Sequence, residues 1–563
     1  VADALVAHGI DTAFGVPGES YLALLEGLYA WRERFRFIAC RHEGGAAFMA
    51  DAYAKLTGRP GVCMVTRGPG ASNAAIGVHT AQQDSTPLVL LVGQIDGRMA
   101  EREAFQEIDY RRMFGPLAKW VAQIDHAERV PEMLSHALHC AMSGRRGPVV
   151  LALPEDMLAA TAAVADAPPY ASIQAGLRPN DAAQLAELLQ SCQRPLVILG
   201  GSGWTSQAAA DLRRFAEAQM LPVACAFRFQ DLFDNHHPHY VGDVGIGINP
   251  KLAARIRDAD LLLVVGARLG EMTSSGYTLF DIPVPRQPMV HVYPGVEELG
   301  RVYRARLMIN AGMPEFCAAL AGLAAPPAAD SAAARRAWLQ AARADYEAWQ
   351  GEPPLYAAGG PAAAAPLNLW RVVQRLRASL PADAVVTNGA GNFATWAHRF
   401  WRYGGIEHAR TQLAPTSGAM GYGLPAAVAA AIAAPQRTVV NFAGDGDFMM
   451  NGQELATARQ YGAAPLVLVF DNGMYGTIRM HQEREYPGHV YGTALHNPDF
   501  AALARAYGCA GFQAASNAEF DAALPLALAA VRERRVPALI ALRVDPEHLT
   551  PGMSLSAMRD RPR

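Results

Sequence analysis

Asp445 is the residue from which the chemistry of this chain is most directly read. It stands between two glycines in "VVNFAGDGDFMMNGQEL", residues 439 to 455, at the end of an apolar, β-rich run. Val439, Val440 and Phe442 belong inside a sheet, and a carboxylate at the mouth of such a strand needs a compensating partner. The next β-rich run, "PLVLVF", ends in Asp471-Asn472-Gly473, so Asp445 and Asn472 lie 27 positions apart. That distance is a strand, a helix and a second strand. With the two strands as parallel neighbours, acid and amide meet just beyond their carboxyl ends, where ligands of open α/β sheets bind. One carboxylate, one amide oxygen and a backbone carbonyl, with Met474 as candidate, make an incomplete set of hard oxygen donors. Magnesium accepts such a set when phosphate oxygens and water complete its octahedron. A helix amino terminus beside it favours those phosphates. A lone Gly-Asp-Gly is most often a turn; the second strand end, 24 residues further on, reverses that reading.

Side chains so placed require strands that end side by side. Residues 1 to 158 alternate helical stretches with the runs "RFIAC", "GVCMVT", "PLVLLVG" and "GPVVLALP", which predicts a parallel sheet covered on both faces. "AATAAVADAPPYAS" reads as a linker. A second unit, 178 to 322, carries "PLVILGGSGW" and "DADLLLVVGARLG", and a long, partly helical Ala/Pro-rich connection follows over 323 to 366. A third unit, 367 to 545, carries "AVVTNG", "TVVNFAG", "PLVLVFDNG" and "PALIALRV", with a tail over 546 to 563. The fold class is therefore α/β, three doubly wound domains in tandem.

The 563 residues are 51% hydrophobic and 18% charged with a net charge of −3, ordinary for a globular protein with sizeable cores. No basic stripe invites nucleic acid or an anionic membrane, so a small molecule is the expected partner. Seven scattered cysteines, never in a C-x-x-C pair, fit a reducing cytoplasm and argue against a disulfide framework or structural zinc. The chain opens on Val1 rather than Met, so a few residues are expected to precede it. "MGYGLPAAVAAAIAA" is mostly Ala and Gly with Pro425 inside it; it predicts a buried helix, not a membrane span.

The Asp445–Asn472 spacing, with "FGVPGES", "RHEGGAAFMADAYAK", "TRGPGASNA", "EAFQEID", "GARLGE" and "TSGAMGYGLPAA" in that order along the whole chain, resembles the thiamine-diphosphate-dependent 2-oxo acid enzymes of the acetolactate synthase and pyruvate oxidase-like group. The resemblance implies a pyrimidine-binding first domain, a spacer second and a diphosphate-binding third. It also implies a homodimer or homotetramer with active sites between subunits. Thiamine diphosphate and Mg²⁺ are the implied cofactors, with Asp445, Asn472 and Met474 on the metal. Glu43 in "RHEGGA" matches the glutamate that activates the cofactor's aminopyrimidine. Met420 matches the apolar wedge that bends the cofactor. Gly389, Gly391, Asn392 and Phe393 in "GAGNF" match the stretch that meets the diphosphate, together with Gly418, Gly444, Gly446, Asp447 and Tyr475. Val16 and Pro17 in "GVPG" lie in a stretch that resembles a loop closing over the pyrimidine. Phe105, Gln106 and Lys119 match positions lining the substrate channel, where Gln106 would bond a developing alkoxide and Lys119 attract a 2-oxo acid.

Two departures bear on substrate. Where acetolactate synthases have an arginine that holds the acceptor carboxylate, this chain has Met272 in "RLGEM", and methionine offers no bidentate clamp. Where they have a pocket tryptophan, this chain has His481 in "GTIRMHQERE", so His481 or Arg479 is left to hold a carboxylate. The acetolactate synthases carry a non-redox FAD on the middle domain; "VILGGSGW" lacks the G-x-G-x-x-G fingerprint, so FAD is possible but not favoured. The expected function is decarboxylation of a 2-oxo acid, pyruvate first, with carboligation to a second carbonyl compound. Simple non-oxidative decarboxylation is the alternative, and a non-catalytic cofactor-binding paralogue is the alternative of another class.

Overall fold

The computed structural model describes residues 1–323, 326–357, 360 and 365–560. Parts of the Ala/Pro-rich connection and the last three residues of the tail fall outside them. Three six-stranded sheets follow one another along the chain, each with every pairing parallel. The first holds β1 (Thr12–Gly15), β2 (Arg36–Ala39), β3 (Gly61–Val65), β4 (Leu88–Gln94), β5 (Trp120–Gln123) and β6 (Pro148–Pro154), in the order β2-β1-β3-β4-β6-β5. The second holds β7 (Pro195–Leu199), β8 (Val223–Ala226), β9 (Tyr240–Val244), β10 (Leu261–Val265), β11 (Met289–Tyr293) and β12 (Leu307–Asn310), in the order β12-β11-β10-β7-β8-β9. The third holds β13 (Val385–Asn388), β14 (Gln412–Leu413), β15 (Val439–Gly444), β16 (Leu466–Asp471), β17 (Ala510–Ala514) and β18 (Ala538–Arg543), in the order β14-β13-β15-β16-β18-β17.

The central strands are apolar throughout because helices cover both faces of each sheet. β3, β4, β6, β7, β10 and β15 have no exposed position. "GLPAAVAAAIA" forms a helix, Gly423–Ala433, buried on nearly every side. Its small residues let it pack closely on the helix Glu43–Thr57 of the first domain, so one apolar cluster runs unbroken from domain one to domain three. A polar knot crosses the same contact. Lys55 pairs with Asp51 (2.8 Å) and with Asp84, and the Tyr422 hydroxyl donates to Asp51 at 2.7 Å. Burial opposes the Lys55 charge, but the two carboxylates outweigh it and raise its pKa.

The stretch expected as a partly helical connection contains the helix Ala329–Trp349, seated on the second domain, with Arg335, Leu339, Ala342 and Tyr346 buried. Arg335 donates to the carbonyls of Cys192, Leu189 and Gln219, which ties the helix down. Among the described residues no helix is long and apolar enough to cross a membrane.

Candidate active site

In the third sheet the strand order reverses between β13 and β15, and such a point is where an open α/β sheet leaves a crevice. The loops after β13, β15 and β16 meet there around a cavity of about 240 Å³. Gly391, Asn392, Phe393, Gly418, Met420, Gly444, Asp445, Gly446, Asp447, Asn472, Met474 and Tyr475 all line it. Residues separated by more than 80 positions thus form one site. Thr477, Ile478 and His548 also line the cavity, and nothing in their local sequence marks them.

β15 and β16 are adjacent, with Gly444 in register with Phe470, so Asp445 and Asn472 emerge side by side. Asp445 opens the helix Asp445–Asn451. Its carboxylate accepts from the amides of Gly446 and Gly473, both at 2.9 Å, and from the Asn497 side chain at 2.8 Å. Asn497 also donates to Asp471 at 2.8 Å. Burial raises the Asp445 pKa, and the nearby Asp471 adds to it. Two acids sharing one amide at the mouth of a sheet concentrate negative charge where a cation is suited. The backbone bridge of Met474 to Ala494 uses the Tyr475 amide and the Gly473 carbonyl, and so does not engage the Met474 carbonyl. Among the described residues no cluster of three or more His, Cys, Asp or Glu side chains is placed for a metal. A cation here depends on one carboxylate, amide and carbonyl oxygens, and oxygens the ligand brings, which is the donor set of Mg²⁺.

Asp447 has a different task. Its Oδ1 accepts from the amides of Ala390 (3.2 Å) and Gly421 (2.8 Å), pinning two cavity loops together. Burial pushes its carboxyl up to about 7. Gly389 stands directly behind it, and a Cβ there would lie 1.9 Å from Asp447 Oδ1. Gly389 is therefore not in the cavity wall but in the support beneath it. Asn392 is held by Thr477: its amide donates to Thr477 Oγ1 at 3.0 Å, and that hydroxyl returns a bond to Asn392 Oδ1 at 3.1 Å.

The first domain brings its residues together at the carboxyl end of its own sheet. Glu43 opens the helix Glu43–Thr57, behind a His42 cap, and is half-buried in the single chain rather than buried. Its Oε2 accepts from Asn73 Nδ2 at 2.9 Å. Gly70 packs against its Oε1. Gln106 lies over Gly68, next along this loop, in the left-handed region at φ 68°. Such strain in a non-glycine residue costs on the order of 1 kcal/mol and tends to sit at functional sites. Arg67 fixes the Gln106 loop by donating to the Phe105 carbonyl at 3.1 Å, while pairing with Glu155 and with Glu19 at 3.3 Å. Phe105 itself is 72% exposed. Val16 and Pro17 follow β1 on the same side, with the Tyr21 hydroxyl donating to the Val16 carbonyl.

Lys119 is not brought to this group. It precedes β5, at the opposite end of the sheet, and its ammonium donates to the carbonyls of Cys140 (2.5 Å) and Ser143 (2.8 Å) at the end of the helix Val130–Met142. Burial lowers its pKa. Arg479 is likewise committed, with Nε and one terminal nitrogen on Glu483 at 3.0 and 2.7 Å. Glu483 also takes Arg559 from the carboxyl-terminal segment. His481 is partly exposed on the helix Gly476–Glu485, its pKa lowered by burial. Met272 sits in a turn outside the cavity-lining set.

The structure is thus a three-domain α/β protein with an acidic, glycine-lined crevice at the carboxyl end of the third sheet, the place where open α/β sheets receive their ligands. The sequence matches three family models in the same order: the N-terminal TPP binding domain of thiamine pyrophosphate enzymes over residues 1–113, their central domain over 182–320 and their C-terminal TPP binding domain over 389–542. The chain belongs to the thiamine pyrophosphate enzymes. Within them it is a homologue of acetolactate synthase large subunits. It is 31% identical to acetolactate synthase isozyme 2 large subunit of Escherichia coli, over 93% of this chain and 92% of that one. Against the acetolactate synthase large subunit of Parasynechococcus marenigrum the identity is 33% over 90% and 82%. Against a probable acetolactate synthase large subunit of Methanocaldococcus jannaschii it is 29% over 98% and 92%.

Proposed function

We propose that the protein uses thiamine diphosphate and Mg²⁺ to decarboxylate a 2-oxo acid, pyruvate first, and joins the remaining fragment to a second carbonyl compound, as its relatives' name of acetolactate synthase suggests. The observation that carries this reading is the meeting of Asp445, Asn472 and Met474 at neighbouring strand ends inside one cavity. Asp445, the Asn472 side chain and the Met474 carbonyl would hold the metal. The amino end of the helix Asp445–Asn451 would receive the diphosphate, and Met420 would set the floor beneath the cofactor. The bound cofactor supplies the carbon nucleophile and the electron sink. Glu43 would share a proton with the cofactor's pyrimidine ring, its carboxylate oriented by Asn73, which donates to Oε2. Gln106 donates to the oxygen that gains charge.

Glu43 is not among the residues lining this cavity, so a complete site takes Glu43 from a second copy of the chain. Exposed apolar side chains near both halves support such a contact: Phe105 and Ile76 on one side, Met449, Met450 and Ile478 on the other. A homodimer is the smallest complete enzyme in this reading, and seven free cysteines support a reducing cytoplasm. Simple decarboxylation is a second reading, favoured by one observation. Arg479 is already bonded to Glu483, and Met272 offers no charge, so neither supplies a free clamp for an acceptor carboxylate.

Glu43→Gln tests the enzyme reading. Carbon dioxide release should fall by a factor on the order of 10²–10⁴, with cofactor affinity retained. Equal inactivity of wild type and variant toward every 2-oxo acid, with the cofactor bound, would make the protein a binding paralogue.

A further inference from the structure

Two peptide units at the wall of the first cavity are held at both ends. In the Gly389–Ala390 unit, the Ala390 amide donates to Asp447 at 3.2 Å. The Gly389 carbonyl accepts from Arg228 at 3.0 Å and from the Asn388 side chain at 2.7 Å. In the Pro415–Thr416 unit, the Thr416 amide donates to Asp84 at 2.7 Å and the Pro415 carbonyl accepts from Arg228. That carbonyl also accepts from the Gly418 amide at 3.1 Å, which closes the turn leading to Met420. One guanidinium therefore holds the carbonyl of both units, and a carboxylate holds the amide of each. Gly391, Gly418 and Met420, which follow these units in the chain, line the cavity. Arg228 comes from the second domain, two residues beyond the end of β8. It is buried, and its backbone stands in the left-handed region at φ 65°, where a non-glycine residue stays only if its surroundings hold it. Its guanidinium lies 4.9 Å from the centre of the Phe227 ring. Burial lowers its pKa to about 10 and Asp84 and Asp447 oppose that shift, so the charge persists at neutral pH. The two acids that hold the amides also balance the cation between them.

We infer that Arg228 is a positioning residue for the cofactor, the side chain through which the second domain sets the two turns that meet it. The inference rests on the reading that the first cavity holds thiamine diphosphate. A peptide unit is planar, so a unit bonded at its N–H alone can still swing about that bond, and one bonded at its C=O as well cannot. Arg228 supplies the second bond to both units from two nitrogens of one rigid fork, which also fixes the spacing between the turns. A lysine ammonium is a point charge on a flexible stem and sets no such spacing. Groups that fix the geometry of a site govern its rate without contact with the reacting atoms. The second domain is thereby part of the site's construction and not a spacer alone.

The test is titration of wild type, Arg228→Met and Arg228→Lys with thiamine diphosphate in the presence of Mg²⁺ by calorimetry, with thermal unfolding and pyruvate turnover measured alongside. In Arg228→Met the affinity for thiamine diphosphate should fall by about tenfold or more. At saturating cofactor its kcat should fall too, while KM for pyruvate holds within about twofold. Arg228 lines a cavity of about 380 Å³, which leaves a small cation room to take the vacated place. Guanidinium ion, far below denaturing concentration, should therefore restore affinity and kcat in a saturable way. Arg228→Lys keeps the charge but reaches one carbonyl at a time, so its affinity should lie between the other two. If Arg228→Met does not fold, loss of affinity in Arg228→Lys at an unchanged unfolding temperature carries the test. Wild-type affinity and kcat in the variants would overturn the inference and leave the cofactor reading standing. So would a loss that follows the unfolding temperature and is not restored by guanidinium. Failure of the wild type itself to bind thiamine diphosphate would overturn that reading, and the inference with it.

Discussion

Asp447 does with one carboxylate oxygen what a ligand would otherwise have to do: it holds the Ala390 and Gly421 amides in place before any cofactor arrives. Gly389→Ala drives a methyl group against that oxygen. We expect thiamine diphosphate affinity to fall at least tenfold by calorimetry, with circular dichroism unchanged. Lys119→Met gives the opposite outcome. Its ammonium closes a helix end rather than the channel, so kcat/KM should stay within about twofold while stability drops by about 1 kcal/mol, as for an ordinary hydrogen bond. Asp445 and Asn472 were legible in the sequence itself, in glycine-rich turns after strong strands, while Gly391 and Met420, which line the same cavity, were named only through the family resemblance. Lys119 was misleading because its neighbours fix its place in the chain but not the end of the sheet at which it falls. Asn73, Asn497 and Thr477 were silent, since each works through a partner distant in sequence.

At the scale of elements, the helix Gly476–Glu485 is clamped to the carboxyl-terminal helix Leu555–Arg559 by Glu483, which faces both Arg479 and Arg559. The Arg559 hydrogen bond, first among several causes, holds the Glu483 carboxyl down at about 2, below its ordinary 4.5. A carboxyl depressed in the fold adds stability above its unfolded pKa and loses it as pH falls through the folded one. The clamp should therefore weaken between about pH 4.5 and 2. Hydrogen exchange should show the two helices opening together at pH 3 and not at pH 6, and Glu483→Gln should abolish that difference. Strands such as β3, β4, β6, β10 and β15 were readable because their apolar runs are long and bounded by turns, whereas the shorter or less uniformly apolar interior strands β1, β8 and β11 were not named. β5, β14 and β17 were not: they are short edge strands, and partial exposure mixes their composition in β5 and β17. The helix Ala329–Trp349 was expected only as part of a partly helical connection; its seat on the second domain was not legible, because its alanines leave no strong apolar stripe.

For the whole molecule, three tandem α/β domains could be read from composition and strand spacing. The contact of the first domain with the third could not, because it rests on small residues of two helices more than 350 positions apart. If Glu43 of one copy completes the cavity of another, two inactive variants should repair each other. Mixing Glu43→Gln with Asp445→Asn subunits after reversible dissociation should restore up to about a quarter of wild-type activity, the share of sites built from intact halves when subunits pair at random. No recovery on mixing would place the whole site within one chain. The central claim is met most directly by quantifying products from pyruvate with thiamine diphosphate and Mg²⁺. Carbon dioxide and acetolactate are expected in a one-to-one ratio, because only one of the two pyruvates loses its carboxylate, with both products lost when either cofactor is withheld. Acetaldehyde with no acetolactate would contradict carboligation, and no carbon dioxide from pyruvate or any larger 2-oxo acid would contradict the account as a whole.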